Sequence, residues 1–180
     1  MTNIDFSILY WIQDHIVCEA LTPIMNAITT SGNGGIIWII LCVILICFKK
    51  TRWIGIAAAI SLALVGILNN EIIKPIVERP RPFLQQEIEL LIAAPGGFSF
   101  PSGHTSSSFA VATAVFLKNK KIGIPALIFA ALVGFSRLYF FVHFPSDVFV
   151  GMLEGIFVAI AVTFAVDKLR NRYAEKKAAK

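Results

Sequence analysis

Residues 53–73 read WIGIAAAISLALVGILNNEII, and residues 74–82 that follow read KPIVERPRP. The first stretch carries no charged side chain before Glu71. A bilayer core about 30 Å thick needs about 20 mostly apolar residues of helix, so this stretch reads as a membrane-crossing helix. The second stretch puts four charged residues and three prolines into nine positions. Proline removes a backbone donor and disfavours helix in the residue before it. A spanning helix therefore gives way to a polar loop here, and the same alternation recurs along the chain.

Outward from this point, apolar segments occupy 35–48, 104–117, 122–142 and 147–166. Only 15% of the 180 residues are charged against 57% hydrophobic, where soluble domains carry about 25% charged residues. The net charge of +5 is not a nucleic-acid footprint, because the charges sit in clusters between apolar runs. Those clusters (49–52, 118–121 and the stretch from Lys168 onward) are each two spans apart, so one orientation places all three in the cytoplasm. The segments 74–103 and 143–146 then lie outside. Residues 4–30 are only moderately apolar, interrupted by Asp14, His15, Glu19 and Pro23, and read as short helices in the outer interface, the alternative being a sixth span. No Lys or Arg precedes Lys49, so the start does not read as a cleaved signal peptide. Cys18, Cys42 and Cys47 show no metal spacing and read as packing residues.

The expected fold is an all-α polytopic membrane helical bundle of five transmembrane helices, six if the N-terminal segment crosses. One domain fills the chain: interfacial helices over 1–32, a transmembrane core over 33–168, and a basic cytoplasmic tail over 169–180 that frays.

Lys74, Arg79, Arg81 and Arg137 break the positive-inside pattern, since all fall in the outer loop or at outer helix ends. Arg137 lies between Phe135 and Tyr139 in an apolar run and needs an anionic partner. Arg79 is as readily a solvated or locally paired charge. Two of the three histidines reach the same depth: His104 follows FSFPSG at 98–103, and His143 lies four residues before Asp147. Cations, a nucleophile and a proton donor at one depth are the inventory for phosphoryl transfer. His15 lacks this context and reads as interfacial.

The spacing is specific. Lys74, six residues and Arg81-Pro82 form one motif; Pro101-Ser102-Gly103-His104 a second; Ser136-Arg137, five residues, His143, three residues and Asp147 a third. In that order the set resembles the type 2 phosphatidic acid phosphatase (PAP2) family, which shares its site with vanadium haloperoxidases. The resemblance implies that Lys74, Arg81 and Arg137 hold phosphate, with Ser102 and the backbone N–H of Gly103 adding donors at a helix N-terminus. It implies that His143 attacks phosphorus, that Asp147 orients its ring, and that His104 protonates the leaving oxygen. His143 then works neutral and His104 charged. Neither a metal nor a cofactor is implied, because the fixed cations take that role.

The implied activity is a membrane lipid phosphatase of the bacterial plasma membrane with an extracytoplasmic active site. Its partners are the bilayer and a lipid substrate: undecaprenyl diphosphate, phosphatidylglycerol phosphate or phosphatidic acid. The loop 83–100 contains no headgroup motif that chooses among them. Two rivals are a vanadate-dependent haloperoxidase, disfavoured by the spans, and a non-catalytic lipid-binding protein, disfavoured by the intact motifs. Ser146 reads as the N-cap of the last span. Glu154, seven residues after Asp147 on a similar helical face, reads as a structural residue paired with Asn69, Asn70 or another buried polar group, or protonated.

Overall fold

A computed structural model describes residues 2–178, and those residues form helices and loops with no strand among them. The helices are α1 (Thr2–His15), α2 (Thr22–Ser31), α3 (Ile36–Cys47), α4 (Arg52–Ile67), α5 (Lys74–Val77), α6 (Gly103–Lys118), α7 (Lys120–Tyr139) and α8 (Pro145–Ala178). A π-helical turn, Leu68–Ile73, joins α4 to α5.

Arg52–Leu84, Lys120–Tyr139 and Pro145–Lys176 are each long and apolar enough to cross a membrane. The expected span over 35–48 is shorter: α3 has 12 residues, roughly 18 Å of helix. It is long and apolar enough to cross only if taken with α2, from which it is bent by 50°, so the described residues hold three such helices, or four with the bent pair counted as one, where five were expected. Gly34 and Gly35 make the bend, with φ of 59° and 70° that a β-carbon would disfavour. Residues 22–31, expected to lie in the interface, thus lead into the first apolar span.

α6 differs from the other helices. Its 16 residues measure roughly 24 Å, and an unbroken run from Ser108 to Val115 is buried. It packs against α4, α7 and α8. Lipid gives helices no hydrophobic reason to associate, so close backbone approach between small residues has to hold them. Gly151 and Gly155 of α8 supply it: a β-carbon at Gly155 would lie 2.5 Å from the Ser106 carbonyl oxygen, and one at Gly151 2.8 Å from that of Ser102. Several polar side chains of α6 are paired within the bundle, whereas the buried Thr113 hydroxyl has no partner among the described residues. Trp38 Nε1 donates to Ser108 Oγ at 2.9 Å, and Asn69 Nδ2 donates to Ser106 Oγ at 2.6 Å.

α8 does not fray at residue 169 but continues as helix to Ala178, exposed over 168–176, because its Lys, Arg, Glu and Ala residues are strong helix formers. Residues 179–180 of the expected tail lie outside the described residues. At this end of the bundle the basic clusters draw together, with Lys49, Lys50, Lys118 and Arg170 around one cavity. The N-termini of α6 and α8 and the loop after α7 form the opposite end.

Candidate active site

The loop 140–144 between α7 and α8 puts His143 inside the protein. Its side chain is 2% exposed, and its sequence neighbours Phe140, Phe141 and Phe144 are buried as well. α8 begins at Pro145, where a missing N–H costs nothing. Asp147, in its first turn, accepts the Phe144 N–H at 2.9 Å, so one carboxylate caps the helix and faces the histidine. Ser146 is not the cap. It is the second helical residue, and its N–H and hydroxyl both go to Asp5 of α1, at 3.0 and 2.7 Å.

The ring of His143 is held at both nitrogens. Arg81 Nη1 lies 3.1 Å from Nε2 and also donates to the Val142 carbonyl at 2.9 Å. A guanidinium only donates, so Nε2 carries a lone pair and the proton sits on Nδ1. That proton faces Ser99 Oγ at 3.4 Å and Asp147 Oδ2 at 3.5 Å. Ser99 itself donates to Asp147 Oδ2 at 2.5 Å. Burial pushes the imidazole down to about 4; the Asp147 contact pulls upward, the Arg81 and Arg137 charges push downward, and burial prevails. The histidine is therefore neutral at pH 7, with its nucleophilic lone pair on Nε2.

Arg81 lies at this lone pair, and Arg137 is within Coulombic reach of the ring. Arg81 is fixed by three carbonyls, those of Val142, Gly96 and Gly97. Arg137 is 3% exposed, yet no described carboxylate pairs with it. Nη1 donates to Thr29 Oγ1 at 2.5 Å, and Nε has no hydrogen-bond partner among the described residues. The described residues thus do not supply the anionic partner expected for Arg137, and a buried guanidinium without an ion-pair partner suits bidentate binding of an anion. Lys74 lies beside Gly103, where an added β-carbon would be 3.8 Å from Nζ. Ser102 is buried at the N-terminus of α6, and its N–H is already donated to the Asp147 carbonyl at 3.1 Å. The following amides, Gly103 first, belong to the unpaired first turn of the helix. His104 donates from Nε2 to Asn33 Oδ1 at 2.9 Å and lies within Coulombic reach of Arg137, His143, Arg81 and Lys74. Lys74, Gly103 and His104 also line a groove of about 380 Å³ that runs past Gly35, Ile39, Leu62 and Gly66 toward the apolar flank.

The structure brings Lys74, Arg81, His104, Arg137, His143 and Asp147 to one end of the bundle and commits Arg79 to carboxylates instead. Arg79 bridges two carboxylates, Asp147 Oδ1 at 2.6 Å and Asp5 Oδ2 at 2.7 Å, and its guanidinium lies 3.9 Å from the Phe144 ring centroid. Sequence reasoning missed Asp5, Thr29, Asn33 and Ser99. The first three come from the N-terminal segment, 71 to 141 residues from their partners. The available signal was weak: Asp5 is an acid in an apolar helix, and Ser99 precedes the second motif by two residues. Glu154 lies beside Asn69 and within Coulombic reach of Lys74, but neither carboxylate oxygen has a hydrogen-bond partner among the described residues.

With this geometry in view, the chain was compared with known proteins. The model of the PAP2 superfamily matches residues 51–171. An undecaprenyl-diphosphatase of Sulfolobus acidocaldarius is 32% identical over 160 residues, 87% of this chain and 77% of that protein. The undecaprenyl-diphosphatase BcrC of Bacillus subtilis is 38% identical over 101 residues, which span 56% of this chain and only half of the relative. A crystal structure of a transmembrane PAP2 type phosphatidylglycerolphosphate phosphatase from Bacillus subtilis superposes with a TM-score of 0.75 at 26% identity, covering 93% of this chain and 86% of that one. That of Aquifex aeolicus LpxE superposes at 0.71 and 29% identity, covering 88% and 94%.

Proposed function

The chain belongs to the PAP2 superfamily, and on that premise we propose that it is an integral membrane phosphatase that hydrolyses a lipid phosphate or diphosphate through a phosphohistidine at His143. The observation that carries the reading is the buried, neutral imidazole whose Nε2 lone pair faces Arg81 at 3.1 Å and whose Nδ1 faces Asp147. Arg81, Arg137, Lys74 and the first amides of α6 hold the phosphoryl oxygens. Nε2 attacks phosphorus in line as the bond to the leaving oxygen breaks. His104 gives that oxygen its proton, so the lipid alcohol or lipid monophosphate departs neutralised. The new imidazolium charge rests against Asp147. His104, now neutral, takes a proton from water, the hydroxide breaks the nitrogen–phosphorus bond, and inorganic phosphate leaves with both histidines restored.

Undecaprenyl diphosphate is the preferred substrate. The two undecaprenyl-diphosphatase relatives support it, as does the groove beside Lys74 and His104, whose apolar wall suits a prenyl chain. The gathering of the basic clusters at the far end supports an active site on the extracytoplasmic side of the plasma membrane.

Purified protein is offered undecaprenyl diphosphate, phosphatidylglycerol phosphate and phosphatidic acid, and released phosphate is measured beside rapid-quench trapping of labelled enzyme. Release from the diphosphate, with acid-labile, base-stable label that disappears in His143→Ala, is expected. Release without trapped label, or undiminished turnover by His143→Ala, would reject the mechanism; turnover of another lipid alone would reject the substrate.

A further inference from the structure

A second built cavity lies at the end of the bundle away from His143. α6 separates the two: Gly103 borders the phosphate-facing set, and Lys118, 15 residues or roughly 22 Å along the same helix, borders the second cavity. The cavity measures about 220 Å³ and lies between the α3–α4 connection, the C-terminal end of α6 and the middle of α8. Lys49, Lys50, Lys118 and Arg170 line it, with Asp167 as its acidic residue. Lys118 is committed to Asp167 in an ion pair, which leaves three cations with no ion-pair partner among the described residues. Trp53, Ile54, Ala57 and Val166 form its apolar side. Thr163 also lines it: the side chain is 4% exposed, and Oγ1 has no hydrogen-bond partner among the described residues.

We propose that this cavity binds the headgroup of an anionic phospholipid, with the phosphodiester among Lys49, Lys50 and Arg170, a headgroup oxygen at the Thr163 hydroxyl, and the acyl chains leaving along Trp53 and Ile54. Charge alone would suit any anion, but exposed Trp53 and half-buried Ile54 line the same cavity as the cations. That pairing fits a ligand that is itself half anion and half hydrocarbon. Basic pockets between transmembrane helices take such headgroups, and indole favours headgroup depth. Lys120, Lys121 and Arg172 are exposed near the same end but do not line the cavity, so they provide an internal control for unspecific attraction.

The test uses the full chain, purified free of lipid in a neutral detergent, with thermal unfolding followed as phosphatidylglycerol, phosphatidylcholine or soluble glycerol 3-phosphate is added. Phosphatidylglycerol at 100 times its Kd is expected to raise the midpoint by about 4 °C or more, with little change from the other two. The combined Lys49→Gln, Lys50→Gln, Arg170→Gln variant is expected to lose the shift. Thr163→Val, which removes a hydroxyl that bonds to nothing in the protein, is expected to weaken it several-fold in lipid concentration. The combined Lys120→Gln, Lys121→Gln, Arg172→Gln variant, with the same charge removed, is expected to keep it. Equal loss in the two triple variants, an equal shift from phosphatidylcholine, or an equal shift from glycerol 3-phosphate would each overturn the proposal.

Discussion

Replacing Arg79 tests the architecture around the histidine without touching any group that faces phosphate. Its guanidinium donates to Asp147, Asp5 and the Ser146 hydroxyl at 2.6–2.7 Å, and the three side chains Arg79, Asp5 and Asp147 are 19%, 6% and 0% exposed. Removing one partner of a buried ion pair typically costs about 3–5 kcal/mol, because a charge is left uncompensated. Here each carboxylate keeps two other donors: Ser99 and the Phe144 N–H for Asp147, the Ser146 N–H and hydroxyl for Asp5. That puts the loss near the lower bound, about 3 kcal/mol, and the lost contact with Phe144 adds up to about 1 kcal/mol. Arg79→Gln is therefore expected to lose about 3–4 kcal/mol in denaturant-titrated unfolding in mixed micelles. Arg79→Lys, a point charge that cannot fork to both acids, should lose roughly half of that. Because Arg79 orients Asp147 rather than substrate, its loss should lower kcat with little change in KM. A double-mutant cycle with Asp5→Asn should give a coupling of about 1–3 kcal/mol. Unfolding of Arg79→Gln within about 0.5 kcal/mol of wild type, with unchanged kcat, would refute the view that one arginine ties α1, the polar loop and α8 together.

Burial holds the His143 imidazole near 4, and protonation removes the Nε2 lone pair. Activity should therefore fall only as the pH drops through about 4; an acid limb of kcat/KM near 6.5, corrected for substrate ionisation, would contradict this. A single cysteine in place of exposed Gln86, in a background free of Cys18, Cys42 and Cys47, should react with a membrane-impermeant maleimide in intact cells, whereas one in place of Lys121 should react only after lysis; the reverse pattern would put the chemistry in the cytoplasm. Gly155→Ala places a β-carbon 2.5 Å from the Ser106 carbonyl oxygen and 2.8 Å from the Ala110 nitrogen, both backbone atoms. It should cost about 1–3 kcal/mol by forcing α6 from α8, and an unchanged unfolding midpoint would show that the two helices have slack.

The sequence alone determined the class of fold and pointed to the candidate site residues, and the physical reason is locality. Whether 53–73 is apolar enough to cross a bilayer depends on that segment alone, and the spacing from Ser136 to Asp147 lies within one helix end and the turn beyond it. A misplaced cation such as Arg81 or Arg137 is legible because the membrane sets a strong prior against it. The first crossing was less legible: its apolar run is too short, and the missing length comes from α2 across a glycine bend that hydropathy does not register. The continuation of α8 past residue 169 was less legible, because fraying is the general expectation for a chain terminus while Lys, Glu and Ala favour helix. Only the tertiary structure decided what stands behind the catalytic pair. Asp5, Thr29 and Asn33 reach Ser146, Arg137 and His104 across 71 to 141 residues of chain, and no local pattern encodes a partner that distant. It also decided which arginine is free for an anion. Arg79 and Arg81 are two residues apart and chemically identical; one is neutralised by two carboxylates and the other sits among carbonyls beside His143. The difference lies in which helix ends they meet when α1 and α8 pack, a property of the assembled bundle and not of either residue.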